Sequence, residues 1–144
     1  MSAKLSEPSL FRAWDPKKKV IYEVLQWNHP DYKPTICVLN GQSGEVSYRR
    51  IGEVKLLRYS YQRDSYNIPI YENDMISITL FTGEMKTVSV IFLRGILGVS
   101  DGDNFYPIDA LQHFIPGITA ISIIGNLSES PVINSMKSDQ GRSN

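Results

Sequence analysis

Two histidines, one cysteine and fifteen acidic side chains are the groups in this chain that could do chemistry. A zinc site needs about four converging nitrogen, sulfur or oxygen ligands at recognisable spacings. His29, Asp31, Cys37 and His113 show no such spacing, so no metal site is assigned. Asp101-Gly102-Asp103-Asn104 and Asp109 share only acidity with a calcium loop. The glycine follows the first acid instead of standing at position six, and no Glu closes the loop at position twelve. An Asp-Gly pair between apolar runs is first of all a hairpin turn. Asp15, Glu72, Asp74 and Asp109 would suit metal-assisted hydrolysis only if the fold gathered them. No serine has a Gly-x-Ser-x-Gly setting, and there is neither a phosphate-binding glycine loop nor a dinucleotide fingerprint. The sequence therefore assigns no catalytic, cofactor-binding or metal residue, and it leans away from an enzyme.

A second chemistry is base stacking. Phe11, Trp14, Tyr22, Trp27, Tyr32 and Tyr48 interleave with Arg12, Lys17–Lys19, Arg49 and Arg50, the mixture that holds single-stranded nucleic acid. Core packing and ordinary surface charge account for the same residues and are the favoured reading.

The elements that must position these groups are short strands. Residues 9–15 and 20–27 read as an N-terminal hairpin, with Phe11 and Ala13 on one face, Leu10, Arg12 and Trp14 on the other, and Lys17–Lys19 in its turn. The spacing predicts strands at 35–40, 45–50 and 53–61, then a central loop from Ser60 to Pro69. Further strands fall between Met75 and Tyr106, separated by Gly, Asp and Asn turns. One short helix is expected at about 108–114, with Leu111 and Phe114 on a shared face, and a closing strand at 120–124. Turn signals every 8–12 residues point to a barrel or sandwich. The expected fold is mainly β: a small antiparallel barrel-like domain with an N-terminal hairpin and one short helix. It covers 8–133, with an N-terminal part at 8–61 and a barrel-like part at 70–127. Residues 1–7 and 134–144 are expected to be flexible, since the tail holds only Met136 as a large apolar residue.

With 144 residues and a 42% hydrophobic fraction, the chain is long enough for a single core and unlike a disordered one. The lone Cys37, inside Thr35-Ile36-Cys37-Val38-Leu39, reads as a buried thiol. No apolar stretch reaches the roughly 18 residues that span a bilayer. No signal-peptide core opens the chain, so a cytoplasmic location without membrane attachment is expected. The zero net charge is uneven. Residues 1–68 hold eleven Lys and Arg against seven acids, a net +4, and residues 69–144 carry the balancing −4. That polarity could orient copies of the chain, but it is far from the field of a dedicated nucleic-acid binder.

Three stretches together resemble the YopX-like proteins of bacteriophages and prophages in Gram-positive bacteria. Phe11-Arg12-Ala13-Trp14-Asp15 is similar to that family's opening motif. Leu57-Arg58-Tyr59, Asp64 and Ile70-Tyr71-Glu72-Asn73-Asp74-Met75-Ile76 resemble its central stretch. Ile124-Gly125-Asn126-Leu127, followed by Glu129 and Pro131, resembles its close. Ser60-Tyr61 stands where the family has Thr-Gly, and Asn67 and Asn73 stand where it has Gly. Asn tolerates positive φ better than other non-Gly residues, so Asn67 and Asn73 are expected to hold left-handed turns. Asp15, Asp64 and Asp74 are expected to cap turns by accepting backbone N–H groups, and Trp14 to be mostly buried. The resemblance implies a largely β fold and a mobile-element origin, which makes the expected cytoplasm that of a host bacterium, and it brings no catalytic residue or cofactor. The resulting expectation is a phage or prophage accessory protein acting as a binding or assembly module, self-associating or holding a phage or host protein. The alternatives are a metal-assisted phosphoesterase or nuclease using Asp/Glu, and a nucleic-acid-binding regulator using the basic N-terminal half.

Overall fold

The computed structural model describes residues 7–28 and 35–128, with the side chains of 26–28 outside that set. The expectations for His29, Asp31, Tyr32, the Trp27 side chain, Glu129, Pro131 and the two chain ends lie outside the described residues. The chain is mainly β, and divides into two compact units, the first ending at Tyr59 and the second beginning at Ser60.

In the first unit, β1 (Phe11–Asp15), β2 (Val20–Asn28), β3 (Thr35–Leu39) and β4 (Val46–Arg50) form an antiparallel meander. A 3-10 turn at Ile51–Glu53 follows, and β5 (Lys55–Arg63), whose last four residues belong to the second unit, returns beside β1, pairing Phe11 with Arg58 and Trp14 with Lys55. Side chains alternate between faces along a strand. One face therefore collects Ala13, Tyr22, Val24, Ile36 and Val38, and Phe11, Val20, Ile51, Val54 and Leu56 pack against them. Cys37 is a buried free thiol. Trp14 is mostly buried, as expected, although it stands on the face opposite Ala13, level with Ile21 and Lys55.

The second unit repeats that plan. After β6 (Pro69–Tyr71), the strands β7 (Asp74–Leu80), β8 (Met85–Leu93), β9 (Ile96–Ser100) and β10 (Phe105–Pro107) form a meander, and β11 (Ile118–Asn126) returns beside β7. Arg94 and Gly95 both adopt positive φ (52° and 83°), the requirement of the two-residue turn joining β8 to β9. Between β10 and β11 lie a 3-10 turn, Ile108–Ala110, and the one-turn helix α1 (Leu111–Phe114). Ile108, Leu111 and Ile115 from this segment close over Ile76, Ile78, Val88, Val90 and Val99 of the sheet. At about 1.5–3 kcal/mol per buried aliphatic side chain, that cluster is the main stabilising term of the unit.

Two expectations need correction here. The second sheet is open and not a closed barrel: its order is β10-β9-β8-β7-β11, and the end strands do not pair. β10 spans only three residues and Pro107 has no N–H to extend a ladder. The α1 segment covers the apolar face that closure would have hidden. Leu111 and Phe114 do not share a buried face either. Leu111 is 6% exposed and Phe114 47%, because the core-facing spacing runs through Ile108, Leu111 and Ile115. Phe114 stacks on Tyr106 instead, with ring centroids 5.9 Å apart.

Tyr61, within β5, has φ 63°, a left-handed conformation unusual for an aromatic residue. Ser60 repairs the ladder there. Its hydroxyl donates to the Ile70 carbonyl at 2.7 Å and accepts the Gln62 N–H at 3.1 Å. Left-handed backbone costs a non-Gly residue about 1–2 kcal/mol, partly offset by the extra unfolded-state entropy of Gly. Tyr61→Gly should leave stability unchanged or raise it by up to about 1 kcal/mol, whereas Tyr61→Val should lower it by about 1–2 kcal/mol. Urea denaturation midpoints check the order.

Candidate functional site

The central and closing motif residues meet in the second unit around a corner of the chain. Between β6 and β7 the direction reverses at Glu72-Asn73, and Asn73 takes φ 72°. The Asp74 carboxylate fixes the corner. One oxygen accepts the Tyr71 N–H at 2.8 Å, and the other accepts the Asn126 side-chain amide at 2.9 Å. Asn126 uses its own carbonyl oxygen to accept the Ser128 N–H at 2.8 Å. The Asn73 N–H donates to Val90 on β8, and its carbonyl accepts the Leu127 N–H, at 2.7 and 2.8 Å. The Asn73 side-chain amide reaches the Ser128 hydroxyl at 3.2 Å. Tyr71, Glu72, Asp74 and Asn126 are all buried, and Asp74 is only 3% exposed. Gly125 sits across from Met75, after a bulge in the β11–β7 register.

Asp64 does similar work one loop earlier. One carboxylate oxygen accepts the N–H groups of Tyr66 and Ile68, both at 2.9 Å, and the other accepts the Ile123 N–H at 3.2 Å. Ser65 adds a donor and an acceptor: its N–H meets the Ile121 carbonyl, and its hydroxyl oxygen accepts the Ile121 N–H, each at 2.8 Å. The loop carrying Asn67 (φ 68°) is thereby laid against the outer edge of β11.

The opening motif lies in the first unit, apart from this corner in sequence and in element. Asp15 accepts the N–H groups of Lys17 and Lys18 at 2.9 and 3.1 Å, closing the β1–β2 turn. Its second oxygen stands 3.5 Å from Nε of Arg49. Arg49 also donates to the Tyr22 hydroxyl at 3.1 Å and lies over the Tyr22 ring. That hydrogen bond first, then the electrostatics of the Tyr22 hydroxyl and after it the charge of Asp15, outweigh burial and hold the guanidinium pKa above its ordinary value. Arg12 and Glu23, opposite each other across β1 and β2, pair at 2.7 Å. Phe11 packs on the core, and Tyr59 is half-buried with its N–H on the Leu10 carbonyl at 2.9 Å. The basic and aromatic residues proposed for base stacking are thus divided. Arg12 and Arg49 hold carboxylates, Tyr22 is buried, and Tyr48 is exposed.

Among the described residues, no three His, Cys, Asp or Glu side chains converge where they could hold a metal ion. Asp101 caps its own hairpin by accepting the N–H groups of Asp103 and Asn104 at 2.9 and 2.7 Å. A shallow groove of about 450 Å³ in the second unit runs past Gln62, Arg63, Asp109 and His113, with Ile108 and Ile121 in its lining. Of the motif stretches only Ile70 reaches its lining, and none of the polar motif residues does. Sequence reasoning missed Ser60, Ser65 and Ser128, whose hydroxyls and amides complete the corner and the loop. Serines next to turn residues were the available signal.

The sequence matches no family model and no curated protein. Solved structures that share the fold include two bacterial proteins. The crystal structure of YopX from Bacillus subtilis is 17% identical, with a TM-score of 0.57, over 84% of this chain and 94% of that one. Protein EF1440 from Enterococcus faecalis is also 17% identical with a TM-score of 0.57, over 89% of this chain and 99% of that one. At that identity the likeness establishes the fold alone.

Two outcomes follow from these carboxylates. Asp64→Ala removes the acceptor of three main-chain N–H groups and should cost about 2–3 kcal/mol. Asp64→Asn should cost about 1–2 kcal/mol, because its NH2 would face one of those donors. Faster hydrogen exchange at the Ile123 amide in both variants is the direct readout. Asp101 is held below the usual carboxylate range, first by the Asn104 N–H and then by that of Asp103. A depressed folded pKa stabilises above the unfolded value and is lost as pH falls through the folded one. The β9–β10 turn should therefore loosen only in that acidic window. An NMR titration following the Asn104 amide tests this, and Asp101→Ala should abolish the transition.

Proposed function

We propose that this chain is a non-catalytic binding or assembly module of a phage or prophage, working in the cytoplasm of its host bacterium. The observation that supports the reading is the use made of the motif acids. Asp15, Asp64 and Asp74 each spend carboxylate oxygens on main-chain N–H groups of their own turns. Such oxygens are poor candidates for a general base or for metal ligation, because withdrawing one leaves a backbone donor without an acceptor. The motif therefore shapes a scaffold that presents surfaces. No helix among the described residues is long and apolar enough to cross a membrane.

The phage or prophage setting rests on the motif resemblance alone, and the likeness to YopX supports the fold. Affinity capture of the tagged full chain from infected host cells tests the proposal, combined with phosphodiester hydrolysis assays in Mg2+, Mn2+ and Zn2+. The expected result is a stoichiometric protein partner or self-association, with no turnover. Hydrolysis that survives purification and is abolished by Asp74→Ala while the fold persists would overturn it.

A further inference from the structure

The strands that end the sheet orders differ in how their edges are protected. β6 and β10 are three residues long, and β10 ends on Pro107. The edge of β11 is occupied by Asp64 and Ser65, which take up the main-chain groups of Ile121 and Ile123. Short strands, prolines and inserted side chains are the usual guards of a sheet edge. Among the described residues, none of these guards the first half of β4.

The free groups of β4 follow from its register. The Asn40 N–H donates to the Glu45 carbonyl at 2.9 Å, and the β3–β4 partners run Leu39 with Val46, Val38 with Ser47, and Cys37 with Tyr48. Hydrogen-bonded pairs alternate along an antiparallel ladder. Ser47 and Arg49 therefore point their main-chain groups at β3, while Val46, Tyr48 and Arg50 point theirs outward. The Arg50 N–H is taken by the Glu53 carboxylate at 3.1 Å. The Tyr48 carbonyl receives one long contact, 3.2 Å, from the Arg49 side chain and keeps its second lone pair. Among the described residues, the N–H and C=O of Val46 and of Tyr48 remain open. On the same stretch the Val46 and Tyr48 side chains are 53% and 63% exposed.

We infer that β4 is a self-pairing edge, through which two copies of this chain join antiparallel with Val46 of one copy opposite Tyr48 of the second. This deepens the binding-module reading, on which it rests, by naming the partner as a second copy. A two-fold axis through Ser47 places Val46 and Tyr48 as hydrogen-bonded pairs on both sides. All four open groups of each copy then find partners in four bonds, and Glu53 keeps its hold on Arg50. The valine and tyrosine side chains of both copies fall on one face as aliphatic–aromatic pairs, a favourable cross-strand combination. A longer foreign strand would have to displace Glu53 at one end and follow Gly44 (φ 77°) around its turn at the other. The open stretch fits its own copy better than an extended partner.

The charge balance separates this arrangement from a head-to-tail one. The first unit carries ten Lys and Arg against six acids, a net +4, and self-pairing brings two such units together. Salt should leave the association unchanged or strengthen it, whereas head-to-tail pairing of opposite charges would weaken with salt.

Sedimentation velocity of the full chain, at loadings up to about 1 mM and at two salt concentrations, is the test. The expected result is a monomer–dimer equilibrium that added salt does not weaken. Val46→Pro removes one outward N–H without touching the β3 ladder, and should weaken the dimer at least about tenfold with an unchanged circular dichroism spectrum. Should that variant fail to fold, Ser47→Cys serves instead. Facing residues of a non-hydrogen-bonded pair have Cα atoms about 4.5 Å apart, within disulfide reach. Oxidation should therefore link its dimer, and should leave the wild type, whose Cys37 is buried, unlinked. A monomer at every loading, a dimer that salt dissolves, or an unlinked Ser47→Cys would overturn the inference. A monomer that still retains a stoichiometric host or phage protein would do so while leaving the binding-module reading in place, and turnover would strike that reading alone.

Discussion

The bond between the Asp74 carboxylate and its two donors is the constraint on which the second unit depends. β6 and β7 meet at a corner, and there the Asp74 carboxylate accepts the Tyr71 N–H inside a buried turn. An unmet buried donor costs about 1–3 kcal/mol. Asp74 removes that cost, and its other oxygen takes the Asn126 amide, anchoring the last residue of β11 to the first of β7. With those ends pinned, the seven matched positions of the β7–β11 pairing are set, bulges included. Register then decides which side chains face the core, because a slip of one residue would turn Ile76 and Ile78 outward.

Both units use one construction: four strands in a meander, a short 3-10 segment, then a fifth strand returning beside the first. The segment has a different job in each. In the first unit Ile51 and Val54 flank a core already supplied by the strands. In the second, Ile108, Leu111 and Ile115 contribute three of the nine buried residues of the cluster. The longer segment supplies the cover that five open strands lack.

Much of the fold was legible from local signals. The hairpin at β1–β2 could be read from Asp15-Pro16 and alternation. The left-handed turns at Asn67 and Asn73 could be read because few residues besides Gly and Asn fit there. Capping by Asp15, Asp64 and Asp74 followed from their places at strand ends. What the residues could not reveal was long-range. Nothing in Asp74 says that its second oxygen meets Asn126, and nothing in Ser65 says that it will lie along β11. Tyr61 in a left-handed conformation contradicts its own propensity, and only the Ser60 hydroxyl bridging to Ile70 makes it understandable. Closure into a barrel was the wrong extension of a correct strand pattern, since alternation reports which face is buried and not what covers it.

The seam that closes each unit joins distant stretches of chain. Phe11 and Arg58 are 47 residues apart, Asp74 and Asn126 are 52 apart, and Asp64 and Ile123 are 59 apart. Joining such distant segments must be met by loop-closure entropy before any contact rewards it. Loop-closure entropy therefore weighs heavily on the β7–β11 seam of the second unit, and before β11 pairs the edge of β7 that it covers stands open. In a crowded host cytoplasm, as proposed for this chain, that interval is when it is most exposed to aggregation. Asp64 and Ser65, already ordered by a short local loop, offer β11 a docking strip on its far side and shorten the exposure.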